Sequence, residues 1–125
     1  MNWDLYKNFS KSEFDCKHTG KNEMRPEFMQ VLQEIRIAYN KPMVINSGYR
    51  DKTHPIEAKK STTGSHPLGC AADISIEGVN AMQLINIAYN MGIRRIGVNQ
   101  KGGGRFIHLD IADKLHGFPQ SIWSY

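Results

Sequence analysis

The stretch FIHLDI, residues 106–111, carries an aliphatic side chain at every second position. A period of two is typical of a strand that packs one face against an apolar core. The isoleucine and leucine side chains would enter that core, and Phe106, His108 and Asp110 would share the other face. The sequence therefore predicts a strand here that presents polar, chemically active side chains away from the core.

The segments around this strand indicate a mixed fold. Residues 95–98 resemble a second strand, joined to the first by the glycine-rich turn 99–104, so we predict a hairpin. Apolar residues recur at helical spacing over residues 26–40, and again after Asn80, which is the expected helix cap. Further predicted elements are a buried strand at 43–46, another strand at 71–76 and a short helix after the capping box SKSE at 10–13. This order predicts an α+β domain with a small, mostly antiparallel sheet and helices packed on one face.

Length and composition limit the class of protein. The chain has 125 residues, a formal net charge of +4, 40% hydrophobic residues and 22% charged residues. This length supports one domain, residues 1–125, with a core of its own. The chain has no run of five like charges and no basic stripe with interleaved aromatic residues, so we expect no nucleic-acid partner. The longest apolar runs are too short for a bilayer, so we expect no membrane association, and we expect a monomer.

The two cysteines, Cys16 and Cys70, lack the CxxC spacing of zinc and redox motifs. We interpret both as free, buried thiols, and a disulfide between them is the alternative. Cys70 starts the strand that contains Asp73, where its side chain would point away from that carboxylate. It is therefore predicted to pack in the core rather than to bind metal.

Among the residues of zinc-binding types, three stand out: His66, Asp73 seven positions later, and the distant His108 in the alternating strand. Imidazole nitrogens and carboxylate oxygens are common zinc ligands, and a catalytic site keeps three protein ligands and one open position. The alternative is that the three side chains only form hydrogen bonds with one another. A polar loop over residues 47–65 precedes His66, and loops of this length in compact domains are usually functional. The sequence thus indicates a candidate metal site beside this loop.

Four stretches carry a resemblance to a known family: FSKSEFDC at 9–16, INSGYR at 45–50, HPLGCAAD at 66–73 and FIHLD at 106–110. In this order they resemble an N-terminal segment, an SGYR segment, an HxxGxAxD motif and an FxHxD strand. These are features of the zinc D-Ala-D-Ala carboxypeptidase family, the M15 group of peptidoglycan peptidases, in its small, often phage-encoded members. The resemblance implies a fold like that of DD-peptidases and Hedgehog domains, with Zn²⁺ bound by His66, Asp73 and His108. It also implies hydrolysis of an amide bond in a peptidoglycan peptide substrate.

The same resemblance implies residues that contact the substrate. Arg50 would hold a substrate carboxylate or polarise the scissile carbonyl, a role that suits a planar and permanently charged donor. The alternative for Arg50 is a structural salt bridge. His54 and Ser65 are the other substrate-binding candidates, and a solvated loop position is the alternative for His54.

The general base departs from the family pattern. Many members have Glu or Asp three residues before the last ligand, where this chain has Arg105, and others have a His where it has Phe106. Asp110 is the best remaining carboxylate, because it shares a strand face with His108. It would either accept a proton from water or only orient a ligand imidazole. Glu57 in the polar loop is a weaker candidate.

Three functions are therefore open. The first is a zinc peptidase of carboxypeptidase or endopeptidase type. The second is a zinc-containing peptidoglycan-binding module without catalytic competence, which Arg105 at the usual carboxylate position favours. The third is a metal-free structural domain. The N-terminus shows no basic segment followed by an apolar one, so no signal peptide is visible. The localisation stays open, since this fits a phage lysin, a virion protein or a protein exported by other means.

Overall fold

The computed structural model describes residues 1–125 as an α+β fold, which confirms the predicted class. Five strands form one sheet, with four helices and two 3-10 turns around it. No helix combines the length and the apolar character that crossing a bilayer requires. In chain order the elements are the 3-10 turns Trp3–Leu5 and Lys11–Phe14, then α1 (Pro26–Tyr39), β1 (Val44–Ser47), α2 (Pro55–Ala58), β2 (Ala71–Ser75), α3 (Gly78–Asn90), β3 (Arg95–Asn99), β4 (Phe106–Asp110), α4 (Ala112–His116) and β5 (Ser121–Ser124).

The sheet has the strand order β1-β2-β4-β3-β5 and is antiparallel except for β5, which runs parallel to β3. β3 and β4 form the predicted hairpin. Neither β5 nor α4 was predicted from the sequence. Each is only four or five residues long, too short for a period of 2 or 3.6 to be recognised.

The first long helix, α1, follows its predicted bounds closely. Pro26 occupies the first turn, where a missing N–H costs nothing. Phe28, Leu32 and Ile35 are fully buried along one side of the helix. The helix ends at Tyr39. Asn40 caps it in the left-handed conformation at φ 56° and donates its N–H to the carbonyl of Arg36.

The second long helix, α3, begins before the predicted cap. Its N-cap is Glu77, and the Asn80 side chain instead accepts a hydrogen bond from Lys41 Nζ at 2.9 Å. Leu84 and Ala88 are buried, as the helical spacing predicted. The prediction of the cap was wrong because the cap is set by backbone conformation, which a side chain of suitable type does not determine alone.

Strand β1 is an edge strand, whereas the apolar run at 43–46 predicted a buried one. Val44 is 62% exposed, and β1 pairs only with β2. An apolar run does not tell an edge strand from a central one, because strand order is a property of the whole sheet.

The capping box at Ser10 is present, but it starts a single 3-10 turn in which Glu13 Oε2 accepts from Ser10 N at 2.7 Å.

The two faces of the sheet differ in chemistry, as the alternation of side chains predicted. Ile74 on β2 and Ile107 and Leu109 on β4 belong to the apolar core, which α1 and α3 complete. Asp73 and His108 come from alternate positions of the same strands and lie on the other face. The long helices therefore cover one face and leave the other free for polar chemistry.

Both cysteines are buried and unpaired, which confirms the predicted free thiols. Burial raises the pKa of Cys70 to about 12, and the nearby Asp110 carboxylate adds to this effect. The Cys70 thiol is therefore protonated at neutral pH, and its side chain packs in the core. This agrees with a packing role and not with a metal-binding one.

Candidate metal centre

His66, Asp73 and His108 are buried together on the face of the sheet that the long helices leave free. Their possible ligand atoms all lie within 4.8 Å of one another. Asp73 Oδ1 is 2.9 Å from His108 Nδ1 and 3.4 Å from His66 Nε2. Two imidazole nitrogens and one carboxylate oxygen form a set that zinc accepts. The three predicted ligands thus form one cluster that could hold a metal ion.

The orientation of His66 favours a metal over a closed hydrogen-bond network. His66 Nδ1 donates to the Gly48 carbonyl at 2.7 Å, since a carbonyl can only accept. The proton is then on Nδ1, and Nε2 carries a free lone pair. Nε2 is buried and has no hydrogen-bond partner. A buried polar atom without a partner is costly, and a metal ion between Nε2 and Asp73 would satisfy it.

The backbone explains why these side chains meet. Asp73 and His108 are directly opposite in the β2–β4 pair, so their side chains share a face. His66 reaches them from the turn that precedes β2. Within that turn Gly69 adopts φ +72°, and a Cβ there would overlap the carbonyl oxygen of Glu23. The turn therefore needs glycine in order to pack closely beside the cluster.

Asp110 lies behind His108 rather than in the open part of the site. Its Oδ2 accepts from His108 Nε2 at 2.6 Å, and its Oδ1 accepts from Arg95 Nε at 2.7 Å and Ala112 N at 2.9 Å. Asp110 is fully buried and does not line the cavity described below. Of the two roles left open by the sequence, this geometry favours orienting the imidazole so that Nδ1 faces Asp73.

Electrostatics within the cluster keep His66 and Asp73 in the protonation states that can bind a metal ion. Burial lowers the pKa of His66, so that its ring is neutral and able to donate a lone pair. Burial would raise the pKa of Asp73, but the hydrogen bond from His108 holds it well below its usual range. For His108, burial lowers the pKa, whereas hydrogen bonds to Asp110 and Asp73 outweigh it and raise the pKa. A cation on the Asp73 side of His108 is thus favoured, whether a proton or a metal ion.

An open cavity of about 440 Å³ adjoins the cluster. Asp73 is the only carboxylate that lines it, and positive charge comes from Arg50, Lys60 and Arg95. Much of the remaining wall is aromatic and consists of Phe106, Phe118, Trp123 and Tyr125. A larger and mostly apolar cavity of about 530 Å³ lies between α3 and β5, and it contains none of the predicted site residues.

Arg50 lines the cavity and also forms the ion pair that the sequence analysis kept as an alternative. Its Nε lies 3.2 Å from Glu57 Oε2, and Lys60 Nζ lies 3.1 Å from the same oxygen. The Glu57 side chain is 2% exposed and is not among the lining residues of the cavity. Glu57 therefore positions the two cations and does not face the cluster.

The two other substrate-binding candidates lie in different places. Ser65 lines the cavity, with its Oγ 3.3 Å from His108 Nε2. His54 is not brought to the cavity, since it caps α2 by accepting from Ile56 N at 3.1 Å. Its ring lies 6.0 Å from that of His18 between centroids. The geometry thus supports Ser65 and gives His54 a local structural contact.

Arg105, which the resemblance aligns with the usual carboxylate position, points away from the cluster. Its Nε donates to the Gly102 carbonyl at 2.9 Å and lies 3.9 Å from Glu77 Oε2. It does not line the cavity. The side chain at position 105 therefore takes no part in the cluster or the cavity.

The C-terminal segment supplies an aromatic wall of the cavity that was not predicted from the sequence. The Trp123 ring lies 5.2 Å from the His108 ring, and the Tyr125 ring lies 5.0 Å from the Phe106 ring, between centroids. The available signal was the alternate spacing of Trp123 and Tyr125, which is compatible with a strand. Spacing alone does not say which strand they would join.

A buried His-Asp-His cluster at the side of an open cavity is an arrangement that suits a metal-dependent hydrolase. The family model described as Peptidase M15 matches residues 5–110, a range that includes all three cluster residues. The chain therefore belongs to the Peptidase M15 family, which confirms the resemblance and implies peptidase activity on a peptide substrate. The comparison with curated proteins found no match. Residues 111–125, which contain α4 and β5, lie outside the matched range.

Proposed function

We propose that this chain is a zinc peptidase that hydrolyses an amide bond in peptidoglycan stem peptides. The observation that carries the proposal is the buried cluster of His66, Asp73 and His108, in which His66 Nε2 has no partner, beside an open cavity. Membership of the Peptidase M15 family supports the same class of reaction.

The zinc ligands would be His66 through Nε2, Asp73 through its carboxylate and His108 through Nδ1. The remaining ring nitrogens are engaged elsewhere, by the Gly48 carbonyl and by Asp110. When bound, zinc supplies Lewis acidity that polarises a carbonyl and lowers the pKa of water. Asp110 would hold the His108 ring in the ligating tautomer, which is the usual task of a carboxylate behind a metal ligand.

The substrate would be held by the positive charge of the cavity. Arg50 and Lys60 share the Glu57 carboxylate but still line the cavity, so their remaining N–H groups can bind a carboxylate or a carbonyl oxygen. Stem peptides carry free carboxylates, which fits this charge. Ser65 would contribute a hydroxyl group at the same wall.

A second candidate is a zinc-containing module that binds peptidoglycan without cleaving it. One observation favours it, namely that Asp73 is the only carboxylate lining the cavity. Asp73 would be a metal ligand, and Asp110 is occupied by His108, Arg95 and a backbone N–H. In this candidate no free carboxylate accepts the proton that hydrolysis must remove from water.

One experiment separates the candidates. The purified protein is analysed for metal by mass spectrometry, and the same sample is incubated with purified peptidoglycan. About one zinc per chain with released peptides supports the peptidase, and the fragments identify the bond. One zinc with binding but no release indicates the binding module. Protein that takes up no zinc, even when zinc is added, contradicts both.

A further inference from the structure

One wall of the cavity comes from residues beyond the matched range 5–110. Strand β5 joins the edge of the sheet in parallel with β3. Its residue Trp123 and the following Tyr125 both line the cavity beside the cluster. This segment therefore adds to the site although it does not contribute a candidate metal ligand.

The register of the sheet explains how an edge strand reaches a cluster two strands away. Asp73, His108, Gly97 and Trp123 are successive partners across β2, β4, β3 and β5, so they form one row on one face. Gly97 has no side chain, and the Trp123 indole lies over it and reaches the His108 ring. A Cβ at Gly97 would come within 2.7 Å of Trp123 Nε1 and 2.9 Å of the Tyr125 hydroxyl. Gly97 thus makes the space in which the indole lies.

Arg95 fixes the wall in place. Its guanidinium group lies 5.1 Å from the Trp123 ring centroid and 5.2 Å from that of Phe118. It also donates to the Pro119 carbonyl at 2.6 Å and to Asp110 Oδ1 at 2.7 Å. The segment that leads into β5 is therefore attached to the same carboxylate that orients His108.

The cavity consequently has two chemically distinct sides. Arg50 follows β1 at one edge of the sheet, and Trp123 lies on β5 at the other edge, with the cluster on strands between them. The side near Arg50 is cationic. The side near Trp123 is mostly aromatic, and the one cation there, Arg95, is paired with the buried Asp110 carboxylate. A peptide lying across the cluster would meet a charge-binding surface on one side and an apolar ring on the other.

We propose that Trp123, seated over Gly97, is a substrate-contacting residue whose indole packs against an apolar part of the bound peptide beside the cluster. The proposal rests on the proposed function, because it assigns one wall of that same site. The indole contributes contact area and excludes water from the cluster, and it is not a proton donor or acceptor in the reaction.

Fluorescence tests the contact independently of turnover. The chain has two tryptophans. Trp3 does not line the cavity, and its ring packs against that of Phe14 at 5.5 Å between centroids. Trp3→Phe therefore leaves Trp123 as the single reporter. Titration of this zinc-loaded variant with the stem pentapeptide L-Ala-D-Glu-L-Lys-D-Ala-D-Ala is expected to change the emission of Trp123 and to saturate. The matched variant Trp123→Phe, in which only Trp3 reports, should show no change.

Kinetics on the same pentapeptide provide the second measurement. Trp123→Ala is expected to raise KM about tenfold, the equivalent of one aromatic contact, with kcat little changed. Trp123→Phe should recover most of this loss. Gly97→Ala should act like Trp123→Ala, because it displaces the indole while every aromatic residue is kept. Zinc content should be the same in all of these variants.

The outcomes distinguish this proposal from the proposed function. Cleavage by the wild type, together with an unresponsive Trp123 and an unchanged KM in Trp123→Ala, overturns the wall proposal alone. A saturable Trp123 response without any cleavage supports the wall and overturns hydrolysis. Neither cleavage nor a response overturns both.

Discussion

Asp110 shows how a single buried carboxylate can be committed entirely to holding another side chain. One oxygen accepts from His108 Nε2, and the other accepts from Arg95 Nε and Ala112 N. Because both donors at Oδ1 have a fixed position, the carboxylate cannot turn toward the cavity without losing them. The side chain therefore determines which His108 nitrogen faces Asp73.

Replacement of Asp110 by asparagine tests this role. In Asp110→Asn, Arg95 and Ala112 would hold the amide oxygen, so the amide NH₂ would face His108 Nε2. That arrangement places the imidazole proton on Nδ1, where it blocks the lone pair needed by a metal. We expect zinc affinity to fall about 10- to 100-fold, as is usual when a carboxylate behind a metal ligand is changed. Competition with a chromophoric chelator measures it.

The control for this experiment is Asp4→Asn, which makes the same chemical change at an exposed position near the N-terminus. Its zinc affinity should equal that of the wild type. Normal zinc affinity in Asp110→Asn with lost hydrolysis would show instead that Asp110 is the proton acceptor.

At the scale of elements, the turn before β2 is the part that joins the cluster to the fold. It carries His66 into position and then enters the strand that carries Asp73. The Gly69 carbonyl accepts from Arg25 N at 2.8 Å, so the turn is also attached to the start of α1. The closeness of the two backbones leaves no space for a side chain at Gly69.

We therefore expect Gly69→Ala to destabilise the protein. The cost combines a left-handed conformation, about 1–2 kcal/mol for a residue with Cβ, and overlap with the Glu23 carbonyl, about 1–3 kcal/mol for overpacking. Urea denaturation followed by circular dichroism measures the free energy of unfolding. Gly102→Ala is the matched control, because Gly102 also has a positive φ, of 63°, but no atom within 4 Å of its added Cβ. Equal losses in the two variants would show that the close approach at Gly69 carries no energetic weight.

At the scale of the whole molecule, the cluster connects three parts of the chain. His66 comes from the turn after the polar loop, Asp73 from β2 and His108 from β4. A metal ion that binds only when these parts are assembled stabilises the folded state by mass action.

Removal of metal is therefore expected to lower the melting temperature. At a free zinc concentration of 100 times Kd the stabilisation is about 2.7 kcal/mol, which corresponds to roughly 10 °C for a domain of this size. Differential scanning calorimetry with zinc and with a chelator measures the difference. His66→Ala should bind no stoichiometric zinc and should melt at the same temperature under both conditions. His116→Ala, which changes an exposed histidine on α4, should respond as the wild type does. A chelator response retained in His66→Ala would contradict the proposed ligand set.

The amino-acid sequence by itself determined the features that depend on local periodicity and residue type. The α+β class, helix α1, the β3–β4 hairpin and the face shared by Phe106 and His108 follow from spacing, because side chains repeat every 2 or 3.6 residues. The types and order of the three candidate ligands were also visible, since a metal requires particular donor atoms.

Only the tertiary structure decided which partners those residues have. It placed Asp110 behind His108, paired Glu57 with Arg50 and turned Arg105 away from the cluster. It also brought β5 to the sheet edge, so that Trp123 lines the cavity. These outcomes depend on strand order and on contacts between segments far apart in the chain. Such contacts depend on the free energy of the whole assembly, which no local pattern encodes.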